Sequence, residues 1–296
     1  MKTSDRISVV LACDDHYIVL LAALLKSIEM NHVSDEIVDI YIVDDQISKR
    51  SKEKLIASLS LVKLNLIWLK MAEIIPEGVV LPLVNNSYPL NTYIRLLIPY
   101  FIPKEVKKII FIDVDMIMLD DISNLWKIDT GDFVIGAVSD TIGPVAKTIG
   151  EGIENYKELG LDPEEKYFNA GLQLINIDKW LAQDITKKTF DAINNNKKYA
   201  ALGDQYGLNI ALCGNWYEIN KLWNCFSVNT DLKPSLIHYF HRKPIYQTYA
   251  NNYKDEFFYY LSRTEWKNFK PIGETSRKMK KVSNMLEKVK LFFVRK

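Results

Sequence analysis

The chain has 296 residues, 48% hydrophobic and 25% charged, with a formal net charge of +1. These values describe a globular protein of one large domain or two small ones, able to bury roughly 75% of its unfolded surface without disulfide or metal staples. No stretch approaches the ~20 apolar residues of a membrane span, and the near-neutral balance gives no expectation of a nucleic-acid partner.

The three cysteines, Cys13, Cys213 and Cys225, lack metal-ligand spacing and sit among apolar or aromatic neighbours. Buried free thiols in a reducing compartment are expected. Residues 1–15 hold a short apolar run broken by acids, which does not read as a signal peptide, so a cytoplasmic location is expected. The charge is unevenly spread. Residues 277–296 carry eight Lys/Arg against Glu287 alone, a local +7, so the other 276 residues sum to −6. That split predicts a domain over 1–272 and a basic tail over 273–296.

In chain order, Ile7–Cys13 reads as a buried strand ended by Asp14-Asp15, and Tyr17–Met30 as a helix. Ile37–Val43 is a second strand closed by Asp44-Asp45. Ser48 is the expected N-cap of a helix to about Leu59, and Asn65–Leu69 is a third strand. This β-α-β-α-β order predicts parallel strands with helices on both faces. Ligands then bind beyond the carboxyl ends of the strands, where these acids gather. Leu81–Ser87 reads as a loop. Thr92–Leu97 is a short helix bearing Arg95, ended by Pro99 and Pro103. Gly131–Val138 is a further strand, finishing near Asp140, and Thr141–Glu165 an expected mobile excursion. Leu172–Ile177 is expected as strand, Asp178–Ile193 and Gly203–Leu212 as helices.

The stretch Lys108–Leu119, KIIFIDVDMIML, is the focus. Four apolar residues without alternation predict a strand covered on both faces. Residues two apart in a strand point to the same side, so Asp113 and Asp115 are expected to present two carboxylates together. Two carboxylates so placed repel, unless a cation lies between them or one holds a proton. A divalent ion resolves this most simply, although for an isolated D-x-D, a short and common motif, a solvated strand end is the better account.

Three other segments stand out. Tyr167-Phe168-Asn169-Ala170-Gly171 offers small residues that let a ligand approach the backbone. Gly203-Asp204-Gln205 opens a helix, where Asp204 could simply be an N-cap. His238-Tyr239-Phe240-His241-Arg242-Lys243-Pro244 gathers two histidines and two cations, which suits phosphate plus metal. A solvated strand-entry turn, cap or loop accounts for each segment taken alone.

Taken in order, these segments resemble the family 8 retaining glycosyltransferases, a group that includes bacterial lipo-oligosaccharide galactosyltransferases and glycogenin. The resemblance rests on VLACDDHY at Val10–Tyr17, NTYIRLLIP at Asn91–Pro99, KKIIFIDVDMIML at Lys107–Leu119 and GAVSD at Gly136–Asp140. It continues with YFNAGLQLINIDKW at Tyr167–Trp180, DQYGLN at Asp204–Asn209 and HYFHRKP at His238–Pro244. It covers about residues 7–244 and implies an α/β fold of GT-A type, with a mixed central sheet and helices on both faces. It also implies a UDP-galactose or UDP-glucose donor, a glycan acceptor on lipid or protein, Mn2+ or Mg2+, and retention at the anomeric carbon.

By that resemblance, Asp113, Asp115 and His238 are the metal ligands, and Val114 lies between the carboxylates against the donor. Asp14 contacts uracil, Ala12 lies beside the base, and Tyr17 stacks or meets the ribose. Lys243 binds the pyrophosphate. Arg95, Asp140, Asn169, Asp204 and Gln205 surround the donor sugar, with Gln205 and Asp204 nearest the reacting carbon. Two departures stand out. Tyr206 replaces a family Asp, so an altered sugar or acceptor choice is expected there. His241-Arg242 stand where the family usually has Gly, and Ile245 where it has Trp.

Chemistry agrees with the resemblance: two carboxylates and an imidazole suit manganese better than magnesium. Two alternatives stay open, a sugar-nucleotide-binding protein without transfer and a metal-dependent phosphotransferase. The latter usually carries its aspartate pair after the first strand, not some hundred residues on. In the tail, Met279, Val282, Met285-Leu286, Val289 and Phe293 recur at helical spacing between Lys and Arg. A basic amphipathic helix meeting an anionic membrane at the cytoplasmic face is the expectation.

Overall fold

The computed structural model describes residues 6–82, 84, 90–145, 152–229 and 233–275. The expected β/α half is present. Strands β1 (Arg6–Asp14), β2 (Ile37–Asp45) and β3 (Leu64–Lys70) pair in parallel in the order β3-β2-β1. The connection between β1 and β2 is α1 (Ile18–Asn31), and between β2 and β3 it is α2 (Lys49–Ala57). The β1 and β2 runs are largely apolar on successive residues because both faces are covered, whereas β3 is a half-exposed edge strand. Ile7, Val9 and Leu11 of β1 face one core layer with α1. Val10, with Tyr41 and Val43 of β2, faces the other. Ser48 caps α2 as expected, its Oγ accepting from the Ser51 N–H at 3.2 Å.

After β3 come α3 (Met71–Ile74) and a 3-10 helix, Leu90–Leu97, that runs straight into α4 (Ile98–Phe101). Pro99 therefore does not end the helical segment: it lies in the first turn of α4, where its missing N–H forfeits no bond. The main sheet continues with β4 (Lys108–Ile112), parallel to β1. The chain then leaves this sheet through β5 (Met116–Met118) and α5 (Ile122–Trp126). It returns through β6 (Ile135–Pro144) and β7 (Lys166–Asn176). Because β7 runs antiparallel to both β4 and β6, the seven-stranded sheet is mixed, in the order β3-β2-β1-β4-β7-β6-β8 with β8 at Tyr217–Glu218.

Two expectations need correction. The single helix over 178–193 is two, α6 (Ile177–Ala182) and α7 (Ile185–Asn195), broken at Asp184, whose φ of 51° is left-handed. The expected excursion over 141–165 is largely held down. Strand β6 extends to Pro144, and beyond residues 146–151, which lie outside the described residues, Ile153 and Asn155 are buried.

The remaining elements are α8 (Asp204–Ala211), a 3-10 helix Lys221–Asn224, β9 (Cys225–Phe226), β10 (Leu236–His238) and α9 (Lys254–Leu261). Strands β5, β10 and β9 form a second, small sheet in the order β5-β10-β9. Among the described residues, no helix is long and apolar enough to cross a membrane. The basic helix expected in the tail lies outside the described residues, as does most of the 81–87 loop.

Candidate active site

The two aspartates do not lie in a continuous strand. Strand β4 stops at Ile112, and Asp113-Val114-Asp115 form the turn by which the chain passes from the large sheet to the small one. The apolar run is thus two strands in two sheets, and the period of two has no bearing on where the carboxylates point. They converge for another reason. The Asp113 N–H is tied to Gly171 O at 2.8 Å, and Asp115 O accepts from the Tyr239 N–H at 3.0 Å. The antiparallel ladder of β5 and β10 sets His238 opposite Met116. One oxygen of each aspartate and one His238 nitrogen consequently lie within 4.8 Å of one another. Opposite ligands of one hard divalent cation stand about 4–5 Å apart.

Three features show that these residues fit such an ion. The Asp115 Oδ1 atom is buried without a hydrogen-bond donor and 3.4 Å from His238 Nε2. The His238 Nδ1 is engaged by Asn224 Oδ1 at 2.9 Å, which leaves Nε2 for the cation. A Cβ built on Gly171 would lie 2.9 Å from Asp113 Oδ2, Asn169 Oδ1 and His238 Cε1, so any larger residue here would displace those side chains. The small residues beside Asn169 therefore make room for the site's own side chains.

Charge around the pair is arranged asymmetrically. Arg95, buried from the 3-10 helix and stacked 4.5 Å above the Phe111 ring, donates to Asp113 Oδ1 at 2.9 Å and forms an ion pair with Asp204 Oδ2 at 2.9 Å. It also donates to Ala170 O. Lys243 Nζ pairs with Asp115 Oδ2 and donates to Tyr239 O at 2.6 Å. Burial pushes Asp113 up to about 6, and Arg95 only partly offsets it, while the Asp115 charge adds to the rise. Burial acts upward on Asp115 too, but Lys243 and His238 outweigh it and hold this carboxyl below its ordinary value.

Beside the pair is a side-chain network. Gln205 Oε1 accepts from the Ala170 N–H at 2.9 Å and from Asn169 Nδ2 at 3.2 Å. Asn169 Nδ2 also reaches Asp140 Oδ2 at 3.0 Å, and Gln205 Nε2 reaches the same oxygen at 3.3 Å. The network also contains Asn224, which the sequence reading passed over: its Nδ2 donates to Asn169 Oδ1 at 2.9 Å. Its only sequence signal is a polar residue amid the aromatic LWNCF. The N-cap of α8 is Gly203, with φ 48°, and Asp204 is the first helical residue, paired with Arg95.

At the end of β1, Asp14 Oδ1 accepts from the Tyr17 N–H at 2.9 Å, and Ala12 lies half-buried two residues back. Tyr17 is pushed far above its usual range, first by burial and then by Tyr246, with Asp115 adding to the effect. Tyr246 also meets His16 Nε2 at 2.7 Å. Val114 is half-buried against the core. The expectation that all four early acids line one crevice needs revision. Asp44 Oδ1 accepts from the Ile47 N–H at 2.6 Å and pairs with Lys52, while Asp15 accepts from the Ser48 N–H at 3.0 Å. Both hold the turn ahead of α2. Tyr206 likewise turns away from the site: its buried hydroxyl donates to Asn155 Oδ1 at 2.7 Å.

The overall fold recurs in known proteins. A bifunctional glycosyltransferase, WbbM, superposes with TM-score 0.75 at 21% identity, over 90% of this chain and 51% of that one. The galactosyltransferase LgtC, solved with donor and acceptor sugar analogs, does so with TM-score 0.72 at 24% identity, over 89% of this chain and 100% of its own. The fold is GT-A. In sequence, General stress protein A of Bacillus subtilis (strain 168) is 27% identical over 288 residues, 90% of this chain and 96% of that protein. Glycosyltransferase GlyB of Streptococcus pneumoniae serotype 4 is 25% identical over 279 residues, 88% of this chain and 62% of its own length. The model of Glycosyl transferase family 8 matches residues 8–251, which takes in the aspartate turn, the Gln205 network and His238, and the chain belongs to that family of glycosyltransferases.

Proposed function

We propose that the chain is a metal-dependent retaining hexosyltransferase, moving galactose or glucose from a UDP-sugar to a glycan acceptor in cell-surface polysaccharide, lipo-oligosaccharide or glycoprotein assembly. The observation that carries this reading is the convergence of Asp113, Asp115 and His238 beside Lys243, with Gln205 and Asn169 on the adjoining side. A manganese or magnesium ion held by those three residues would act as a Lewis acid on the leaving diphosphate. Lys243 would bring a further positive charge to the same oxygens.

The reacting carbon would lie over Gln205. Its amide is held by Ala170 and Asn169 and is a poor nucleophile. Asp204 is buried and paired with Arg95. Neither is disposed to form a covalent sugar ester, so we favour a front-face displacement. In this step the bond from C1 to the UDP oxygen breaks as the acceptor hydroxyl bonds to C1 on the same face. The hydroxyl proton passes to the departing phosphate oxygen. Trapping a glycosyl-enzyme on Asp204 would overturn this step.

The experiment for the function is a donor screen. UDP release is measured from a panel of UDP-sugars with Mn2+, then with chelator. Release from UDP-galactose or UDP-glucose, abolished by chelator, is expected, and turnover that is indifferent to chelator sinks the metal assignment. We further propose that the +7 of residues 277–296 draws the protein to anionic lipid. Removing those residues should then abolish sedimentation with phosphatidylglycerol vesicles, and unchanged sedimentation would refute it.

A further inference from the structure

One buried residue joins the candidate metal site to the network beside it. Asn224 ends the 3-10 helix that precedes β9 and is 4% exposed. Both halves of its amide are used. The oxygen faces His238 Nδ1 at 2.9 Å, and the nitrogen donates to Asn169 Oδ1 at 2.9 Å. Asn169 in turn reaches Asp140 and Gln205. The orientation of the amide follows from its partners. Asn169 Oδ1 also accepts from the Gly171 N–H at 3.0 Å, so it is an acceptor and requires a donor from Asn224. Asn224 therefore presents an oxygen to His238, and an oxygen accepts only from a protonated Nδ1. In the neutral imidazole that leaves the lone pair on Nε2, the nitrogen 3.4 Å from Asp115 Oδ1.

The backbone enforces this placement. Strand β9 runs parallel to β10, with Phe226 opposite His238, and the two rings stand 5.2 Å apart. The imidazole is thus held by an aromatic ring and by Asn224, and it cannot turn without breaking its bond to Asn224 Oδ1.

We propose that Asn224 is a positioning residue that presets His238 Nε2 for the divalent ion and, through Asn169, couples ion binding to the donor-sugar contacts. The inference rests on the metal-dependent reading above. Two variants separate the two bonds. Asn224→Leu has similar volume and makes neither. Asn224→Asp keeps an acceptor for His238 Nδ1 but sets a second oxygen against Asn169 Oδ1.

Mn2+ affinity in the presence of UDP is read from the electron paramagnetic resonance of the free ion, with folding monitored by circular dichroism. Loss of an outer partner of a ligating histidine weakens metal binding about 10–100-fold. That loss is expected for Asn224→Leu, whereas Asn224→Asp should bind Mn2+ within about threefold of wild type. Asn224→Asp should nevertheless show a raised KM for the UDP-sugar without a matching change in affinity for UDP. Wild-type affinity in Asn224→Leu, or equal loss in both variants, overturns the inference. If wild-type protein binds no Mn2+, the reading on which the inference rests fails instead. Should Asn224→Leu not fold, the split between UDP-sugar and UDP in Asn224→Asp decides alone.

Discussion

At the scale of single residues, the site is defined as much by what is small or strained as by what is charged. A Cβ added at Gly171 would stand 2.9 Å from Asp113, Asn169 and His238 atoms. Gly171→Ala should cost roughly 1–3 kcal/mol of stability through overpacking. It should lower kcat/KM about 100-fold, since displacing reacting groups by an ångström has that effect. Urea melts and initial rates measure the two separately, and wild-type rates in this variant would show that the cradle is dispensable. His241 makes the complementary point. It has a φ of 53°, a left-handed conformation, at the place where the family usually has glycine. The loop before Lys243 thus keeps a glycine-like backbone while changing its residue. Histidine tolerates this region better than most residues, whereas a β-branched side chain does not. His241→Val should cost roughly 1–2 kcal/mol, with His241→Gly neutral or stabilising. Thermal melts of the two variants check this, and equal melting temperatures would remove the strain argument.

At the scale of elements, what could be read from the sequence depended on whether burial was uniform along a segment. Strands β1 and β2 were legible because both faces are covered and their residues are mostly apolar in succession. The break at Asp184 was not, since only a positive φ marks it. Nor was the sheet change at Asp113, because one apolar run serves two strands. In the site, Asp113, Asp115 and His238 could be picked out by residue type and order. Asn224 could not, because its role arises only when β9 pairs with β10. The joint between α1 and α5 is a similar case. Asp121 caps α5 through the Ser123 N–H at 2.9 Å. It also meets His32 Nδ1 at 2.8 Å and the N–H groups of Val33 and Ser34, tying the end of α1 to a distant helix. Although burial acts upward on Asp121, His32 and these N–H groups outweigh it and hold its carboxyl below the ordinary range. A depressed carboxyl contributes stability above its unfolded value, near pH 4, and loses it as pH falls towards the folded value. Asp121→Asn should therefore be about 2–4 kcal/mol less stable at pH 7. The gap should close below pH 4. Urea midpoints of both proteins between pH 7 and pH 3 measure this, and a gap that widens in acid would contradict it.

At the scale of the whole molecule, the candidate metal site lies where the two sheets meet. Asp113 follows a strand of the seven-stranded sheet, and Asp115 and His238 flank or end strands of the three-stranded one. An ion held by all three would tie the sheets together, so its binding should stabilise the entire fold. A ligand at a hundredfold excess over its Kd contributes about 2.7 kcal/mol to the native state. Adding Mn2+ with UDP should therefore raise the melting temperature by several degrees. The metal-free protein carries an opposing strain. Burial pushes Asp113 up to about 6, so near pH 7 this carboxylate is ionised against its surroundings and beside Asp115. Asp113→Asn removes that repulsion and leaves Arg95 with Asp204 and Ala170. Without metal, the variant should melt at or above the wild-type temperature at pH 7. With Mn2+ and UDP, it should gain little. Asp115→Asn should behave differently, melting lower without metal because Lys243 and His238 lose the partner that holds them. Scanning the three proteins with and without Mn2+ distinguishes a metal site from a salt-bridge cluster. A wild-type protein that gains nothing from Mn2+, with Asp113→Asn less stable than it, would mean that the carboxylates serve Arg95 and Lys243 alone.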